Sequence, residues 1–112
     1  MATTGSAVSV EDETVVKVTI QVDPRGELLG DPGTFEISKS KHQQVLWVAS
    51  DGKSHFNVDF GENSPFAYTQ FSDVEPYSGL VRREVLADPV KYYKYTVSAG
   101  GKRIDPGGHV NP

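Results

Sequence analysis

The most consequential absence in this 112-residue sequence is cysteine, which does not occur at all. Without a thiol the chain can form no disulfide, hold no metal through a thiolate and use no cysteine nucleophile. Methionine is limited to Met1. The sulfur chemistry on which many small domains depend is therefore excluded before any motif is considered.

Long apolar runs and basic stripes are missing as well. No stretch approaches the roughly 20 apolar residues of a membrane helix, and residues 1–12 lack the basic start and apolar run of a signal peptide. The 11 basic and 15 acidic residues are scattered, with a net charge of −4. We expect no membrane partner and no nucleic-acid partner. The expected localisation is cytoplasmic as written, or periplasmic or secreted if a leader was removed; the oligomeric state stays open.

Alternation of apolar and polar residues is the main structural signal, and it is typical of strands. It predicts strands at 14–22, 34–38, 45–49, 55–60, 91–99 and 102–104. Shorter candidates are 81–85, 109–110 as a last edge pairing, and 28–29, whose two leucines either form a short strand or simply fill the core. Turn signals rich in Gly, Pro and Asp separate them. We predict an all-β, antiparallel Greek-key β-sandwich, with residues 1–12 as a flexible lead-in and 13–112 as a single domain.

Aromatic rings must supply much of the core, because only 37% of the residues are hydrophobic and 10% are aromatic. The strand faces predict which side chains point inward. We expect a core made of Phe35, Ile37, Trp47, Val58, Phe60, Tyr95 and Val97.

Two separated motifs give the chain a family resemblance. The first runs from Phe35-Glu36-Ile37-Ser38 through Val45-Leu46-Trp47 to a strand that begins Ser54-His55-Phe56-Asn57-Val58, and the second is the Tyr-rich strand at 91–97. In order and spacing they resemble the cupredoxins, the plastocyanin-like proteins. Several uncharacterised bacterial domains also resemble the chain at Ser64-Pro65-Phe66, Tyr93-Lys94-Tyr95-Thr96-Val97 and Asp105-Pro106. The resemblance implies a cupredoxin-like fold and carries no activity.

The departures from that family decide the expected function. A blue-copper site needs two imidazoles and a thiolate. His55 matches the first ligand position, but Val97 stands at the thiolate position and Gly100-Gly101 stands where the second histidine belongs. The resemblance therefore implies a cupredoxin-like domain without copper, and blue-copper electron transfer is excluded. We expect no metal and no cofactor.

The long connection at 61–90 carries the candidate binding residues. Four rings, Phe66, Tyr68, Phe71 and Tyr77, punctuate it. Exposed rings on a Pro-braced loop form recognition surfaces, whereas buried rings tie a long loop to its domain. We predict a surface of these four rings together with His55. We predict a non-enzymatic module that binds a protein or a small ligand through this surface. The alternative is a domain that is purely structural.

Two other chemistries compete with that interpretation. His42, His55 and His109 are the only imidazoles, and converging histidines would make a copper or zinc carrier without a thiolate. Asp59, Glu62 and Asn63 could offer oxygens to Ca²⁺, but their spacing matches no EF-hand and favours turn capping. Catalysis is not expected, because the chain has no Gly-x-Ser-x-Gly elbow and no phosphate loop before a helix.

Overall fold

The computed structural model describes residues 14–112, so the predicted lead-in at 1–12 lies outside the described residues. This part of the chain is nearly all β, with one 3₁₀ turn at Gly61–Asn63 and no α-helix. No helix in it is long and apolar enough to cross a membrane. Its strands are β1 (Val15–Ile20), β2 (Phe35–Ser38), β3 (Gln44–Ala49), β4 (Asn57–Asp59), β5 (Gln70–Ser72), β6 (Asp88–Lys94), β7 (Thr96–Ala99), β8 (Lys102–Ile104) and β9 (Gly107–Asn111).

The strands form three sheets, an arrangement compatible with a β-sandwich. Their orders are β1-β3, β2-β9-β6 and β5-β4-β7-β8. The four-stranded sheet is antiparallel throughout, as predicted. The other two sheets each contain a parallel pair, β1 with β3 and β2 with β9. The purely antiparallel prediction is therefore wrong for these two pairs, because alternation along one strand carries no information about the direction of its neighbour.

The predicted strand at 91–99 is two strands in two different sheets. β6 pairs with β9, whereas β7 pairs with β4 and β8. The break is at Tyr95, whose backbone N–H donates to the Pro106 carbonyl (2.9 Å). Tyr93, Tyr95 and Val97 are all buried. The inward alternation thus continues across the break, and this explains why the sequence pattern alone does not reveal the change of sheet.

The last strand is central rather than at an edge, contrary to the prediction for 109–110. β9 lies between β2 and β6, and Val110 is fully buried. Gly107 and Gly108 begin this strand. Their missing side chains make room for two rings, because a Cβ added at Gly107 would lie 2.3 Å from Tyr92 Cζ and one at Gly108 would lie 2.4 Å from the Phe35 ring. Glycines that suggest a turn in the sequence are thus close-packing positions in a strand.

Three predicted strands, at 55–60, 81–85 and 28–29, are shorter in the structure or are reduced to single bridges. The strand predicted at 55–60 is confined to β4, and the candidate at 81–85 is a single bridge between Val81 and Phe66. Of the two alternatives for 28–29, Leu28 fills the core and makes a single bridge to Val22, while Leu29 is exposed. The Gly100-Gly101 hairpin between β7 and β8 is confirmed, with φ angles of 60° and 84°.

The core is an aromatic cluster between the sheets, and all seven predicted core residues are buried. Trp47 is at its centre, with ring centroids 5.1 Å from Phe71 and 5.7 Å from Tyr95. Phe60 stacks on Tyr95 at 4.8 Å and meets Phe66 edge-on at 5.7 Å. Ring pairs in these geometries stabilise by about 0.5–1.5 kcal/mol each beyond their area burial. A core built from few aliphatic residues is therefore dense in rings.

Candidate functional site: a histidine-bearing loop end

The turn that precedes His55 is held by one carboxylate. Asp51 accepts backbone hydrogen bonds from Lys53 N (3.0 Å) and Ser54 N (2.9 Å), and a hydrogen bond from the Ser54 hydroxyl. The Ser54 hydroxyl is the largest cause, with the two amides, of the lowering of the Asp51 pKa to about 2. Because these three bonds fix the backbone up to residue 54, His55 leaves the turn in a defined direction.

His55 is exposed and oriented at the same time. Its Nδ1 lies 2.7 Å from Asp73 Oδ2, and Asp73 Oδ1 accepts the backbone N–H of Phe56 (3.1 Å). The hydrogen bond from His55 is the main reason that the pKa of Asp73 lies below its usual value. Since the carboxylate accepts, Nδ1 carries the proton and Nε2 points away from the carboxylate. The His55 side chain is nonetheless 91% exposed.

A shallow depression of about 210 Å³ lies beside this pair. It is lined by Trp47, Val48, Ala49, Gly52, Lys53, Ser54, Phe56, Asp73 and Pro76. Val74 is 80% exposed on the turn that follows β5. We call the surface formed by Lys53, His55, Asp73, Val74 and Pro76 the loop end. It combines a cation, an oriented imidazole and an exposed valine around a partly apolar hollow.

The predicted set of rings does not form one surface. Phe66 and Phe71 are buried in the aromatic core, so in this structure they anchor the connection. Tyr68 and Tyr77 are 73% and 55% exposed. Tyr77 follows Pro76 and bridges Leu46 on β3, next to the loop end. Of the four rings, only Tyr77 is thus brought to the side of the molecule on which His55 lies.

Tyr68 is separated from His55 by the register of β4 and β5. These strands are antiparallel with Val58 opposite Phe71, so Asp73 returns to Phe56 while Thr69 accepts the N–H of Phe60 (2.8 Å). A strand rises about 3.3 Å per residue, so the two ends of the 55–60 segment lie about 17 Å apart. Tyr68 therefore lies at the opposite end of this strand pair from His55.

The three histidines also lie in different places. His109 is on β9, with Nδ1 2.8 Å from the Lys91 carbonyl oxygen and its ring 5.5 Å from Tyr92. His42 is in the turn between β2 and β3 with φ 55°. Within residues 14–112 no group of three His, Cys, Asp or Glu side chains could hold a metal ion. Asp59 Oδ1 accepts Gly61 N (2.8 Å), which is the turn capping that the sequence favours over a Ca²⁺ site.

A second surface was not predicted from the sequence. The outer side of the β5-β4-β7-β8 sheet forms a hollow of about 330 Å³. Polar side chains from all four strands line it, namely Asn57, Asp59, Gln70, Thr96, Ser98 and Arg103. We call this set the polar face. The only sequence signal for it is the polar half of each alternating strand, which becomes a surface only when the pairing register is known.

Comparison with known proteins gives no relative: the chain matches no family model, no curated protein and no solved structure. Its function is therefore inferred from its own residues.

Proposed function

We propose that the protein is a copper-free, cupredoxin-like Greek-key β-sandwich that acts as a non-enzymatic binding module, with the loop end as its contact surface for a protein partner. The observation that carries this proposal is His55, which is held by Asp73 and exposes 91% of its side chain. An imidazole that is fixed in place but buries almost nothing contributes little to the core. A fixed orientation of the imidazole matters for a second molecule that hydrogen-bonds to it.

Two features of the fold support the cupredoxin-like part of the proposal. The chain leaves the four-stranded sheet after β5, pairs with β9 through β6, and returns as β7 beside β4. A return of this kind is what a Greek-key connection requires. Val97, at the position where the resemblance would place a thiolate, is fully buried and lies opposite Val58. This apolar packing of Val97 supports a domain without copper.

The composition of the loop end favours a protein over a small molecule. Its hollow of about 210 Å³ is smaller than the roughly 300–1,000 Å³ of typical ligand pockets. Val74 of the loop end and the neighbouring Tyr77 extend the surface beyond the hollow, and both are more than half exposed. Aromatic anchors surrounded by polar groups are typical of protein interfaces. Because the Asp73 hydrogen bond already orders His55, little side-chain entropy remains to be lost on association.

Site-specific photocrosslinking in extracts of the native host tests this proposal. A photoreactive amino acid replaces Val74 at the loop end or, as a matched control, Val90 on β6, which is 84% exposed. We expect a crosslinked partner at position 74 that is missing at position 90 and is strongly reduced by His55→Ala. Identical crosslinked proteins at both positions, or an adduct at 74 that is insensitive to His55→Ala, would contradict the loop end as an interface.

A histidine-based copper or zinc carrier is the second candidate, and one observation favours it. A metal-bound imidazole commonly donates its other N–H to a carboxylate, which is the arrangement of His55 and Asp73. Titration with Cu²⁺ or Zn²⁺, followed through the ring C–H resonances of the three histidines, discriminates the candidates. A shift confined to His55 and weakened by Asp73→Asn would support the carrier. Unchanged resonances at micromolar metal would remove it.

A further inference from the structure

The polar face, on the outer side of the β5-β4-β7-β8 sheet, contains a row of side chains in register across three strands. Asn57 on β4 lies opposite Ser98 on β7, and Ser98 lies opposite Arg103 on β8. Residues that are paired across strands point to the same side of a sheet, with neighbouring strands about 4.8 Å apart. The alternate residues Val58 and Val97 point into the core. The three polar groups therefore form a continuous line of about 10 Å on the outer surface.

None of these three side chains has a partner within residues 14–112. The amide of Asn57, the hydroxyl of Ser98 and the guanidinium of Arg103 make no hydrogen bond or ion pair there. The neighbouring Lys102, by contrast, lies 3.6 Å from Glu27. A guanidinium offers five N–H donors in a planar fork that fits a carboxylate through two parallel bonds. Asn57 and Ser98 can each donate and accept. The row thus offers a carboxylate anchor followed by two groups suited to hydroxyls.

The next row of the polar face offers acceptors instead. Asp59 Oδ2 accepts a hydrogen bond from Gln70 Nε2 at 3.4 Å, and Asp105, which lies outside the polar face, accepts one from the hydroxyl of Thr96 at 2.8 Å through Oδ1. A carboxylate has about four lone-pair positions, so both can accept further hydrogen bonds from hydroxyl groups. The negative charges of Asp59 and Asp105, which line a common hollow, also disfavour ligands with several negative charges, such as phosphate esters. The hollow therefore suits one carboxylate near Arg103 and neutral hydroxyls near Asp59.

We propose that the polar face binds a hydroxylated monocarboxylate of monosaccharide size, that is, a sugar acid, with Arg103 on the carboxylate and Asn57, Ser98 and Asp59 on the hydroxyls. The volume of about 330 Å³ accommodates a ring of this size. The face is shallow and open to water, so the expected dissociation constant is on the order of millimolar. Either a free sugar acid or the end of a uronate polysaccharide would present this chemistry.

Titration of the ¹⁵N-labelled full chain with D-glucuronate tests the proposal. We expect saturable amide shifts centred on residues 57, 98 and 103. D-Glucose, which lacks the carboxylate, and glutarate, which lacks the hydroxyls, serve as matched probes and should bind more weakly by roughly tenfold. A uronate trisaccharide distinguishes the source: tighter binding than the monomer indicates a polysaccharide end, and equal or weaker binding indicates a free acid. Both results support the site.

Arginine variants make the test specific. Arg103→Gln should weaken glucuronate binding roughly tenfold, and Arg103→Lys should do so by less because it keeps the charge and loses the fork. Arg83 is exposed and likewise has no side-chain partner within residues 14–112, so Arg83→Gln is the matched control and should change nothing. The proposal is overturned if Arg103→Gln binds glucuronate as the unmodified chain does, if glucose shifts the same amides to the same extent, or if the shifts lie elsewhere.

Discussion

A hydrogen bond inside the aromatic core links Trp47 to Tyr95. Trp47 Nε1 donates to the Tyr95 hydroxyl at 3.3 Å, and both side chains are buried. Burial is the main cause that raises the pKa of Tyr95 to about 12. A folded-state pKa above the ordinary value of about 10 means that Tyr95 supports folding fully below pH 10 and loses this support as the pH approaches 12. Two pKa units correspond to about 2–3 kcal/mol.

Tyr95→Phe should therefore destabilise the protein more at neutral pH than at alkaline pH. At pH 7 the variant loses about 1–2 kcal/mol of unfolding free energy, because the buried Trp47 N–H has no acceptor. Between pH 10 and 12 the original chain loses the Tyr95 contribution and the variant does not, so the difference shrinks or reverses. Urea unfolding followed by Trp47 fluorescence at several pH values measures it. A difference that stays constant up to pH 12 would contradict the assigned cause.

Asp73 connects the loop end to the stability of the protein in acid. Its pKa is lowered in the folded state, so its contribution is present above the ordinary carboxyl pKa and is lost as the pH falls below about 4. Asp73→Asn should cost about 0.5–1.5 kcal/mol at pH 7 and should flatten the acid dependence. It should also release His55, seen as averaged ring resonances in NMR. Asp88→Asn, which alters a carboxylate that caps Val90 N without a histidine, should leave His55 unchanged.

At the scale of the strand, the first two residues of β9, Gly107 and Gly108, each contact an aromatic ring, and the two rings differ in how freely they can move. The Phe35 ring beside Gly108 is buried and packs against Tyr95 at 5.9 Å and Phe60 at 6.5 Å. The Tyr92 ring beside Gly107 is partly exposed and can turn away. Neither glycine has a positive φ. The cost of a side chain at each position is therefore decided by the ring that it meets.

Gly108→Ala should destabilise the protein by about 1–3 kcal/mol, the usual cost of overpacking a core, and Gly107→Ala by much less. Thermal unfolding of both variants gives the comparison directly. Because both substitutions replace glycine by alanine in the same strand, the change in intrinsic strand propensity is the same in both variants. It therefore cancels when their melting temperatures are compared. Equal losses of melting temperature in the two variants would show that backbone flexibility, and not the Phe35 ring, sets the cost.

These strands also show what could be predicted from the sequence. The positions of β1, β3 and the β7-β8 hairpin follow from alternation and from Gly100-Gly101. The change of sheet at Tyr95 does not, since the side-chain period stays at two while the pairing partners change. The central position of β9 was hidden because Gly107-Gly108 has no side chains to reveal a buried face. Pairing between distant segments is set by the whole fold, and a single strand does not encode it.

The candidate sites likewise depend on which distant segments pair. His55 could be placed at a loop end from its own neighbours, but Asp73 is 18 residues away and becomes its partner only through the β4-β5 register. Phe66 and Phe71 could not be separated from Tyr68 and Tyr77, because all four stand in one irregular connection. The polar face required the order of four strands. Local chemistry was predictable, and the convergence of distant groups was not.

At the scale of the whole molecule, the pairing of the last strand, β9, with β2 joins segments that are far apart in the sequence. β9 is the last strand of the chain, yet it joins β2 to β6 and its Val110 lies opposite Ile37. Both side chains are fully buried. The β2-β9-β6 sheet therefore has no centre until the final residues are in place. Contacts of such long sequence separation also make folding slow, in the millisecond to second range of all-β domains.

Removal of residues 107–112 should consequently unfold the whole domain. The loss includes the burial of Val110, about 1.5–3 kcal/mol. It also includes the backbone hydrogen bonds of two ladders, to β2 and to β6, at about 0.5–1.5 kcal/mol for each bond. Together these losses approach a typical total stability of about 5–15 kcal/mol. We expect no cooperative thermal transition and a solvent-exposed Trp47 in fluorescence. Removal of Pro112 alone is the control, since it deletes only the 2.8 Å bond from the Ser38 hydroxyl to the Pro112 carbonyl. A truncated chain that still unfolds cooperatively would show that the β5-β4-β7-β8 sheet and the aromatic core are stable without the β2-β9-β6 sheet.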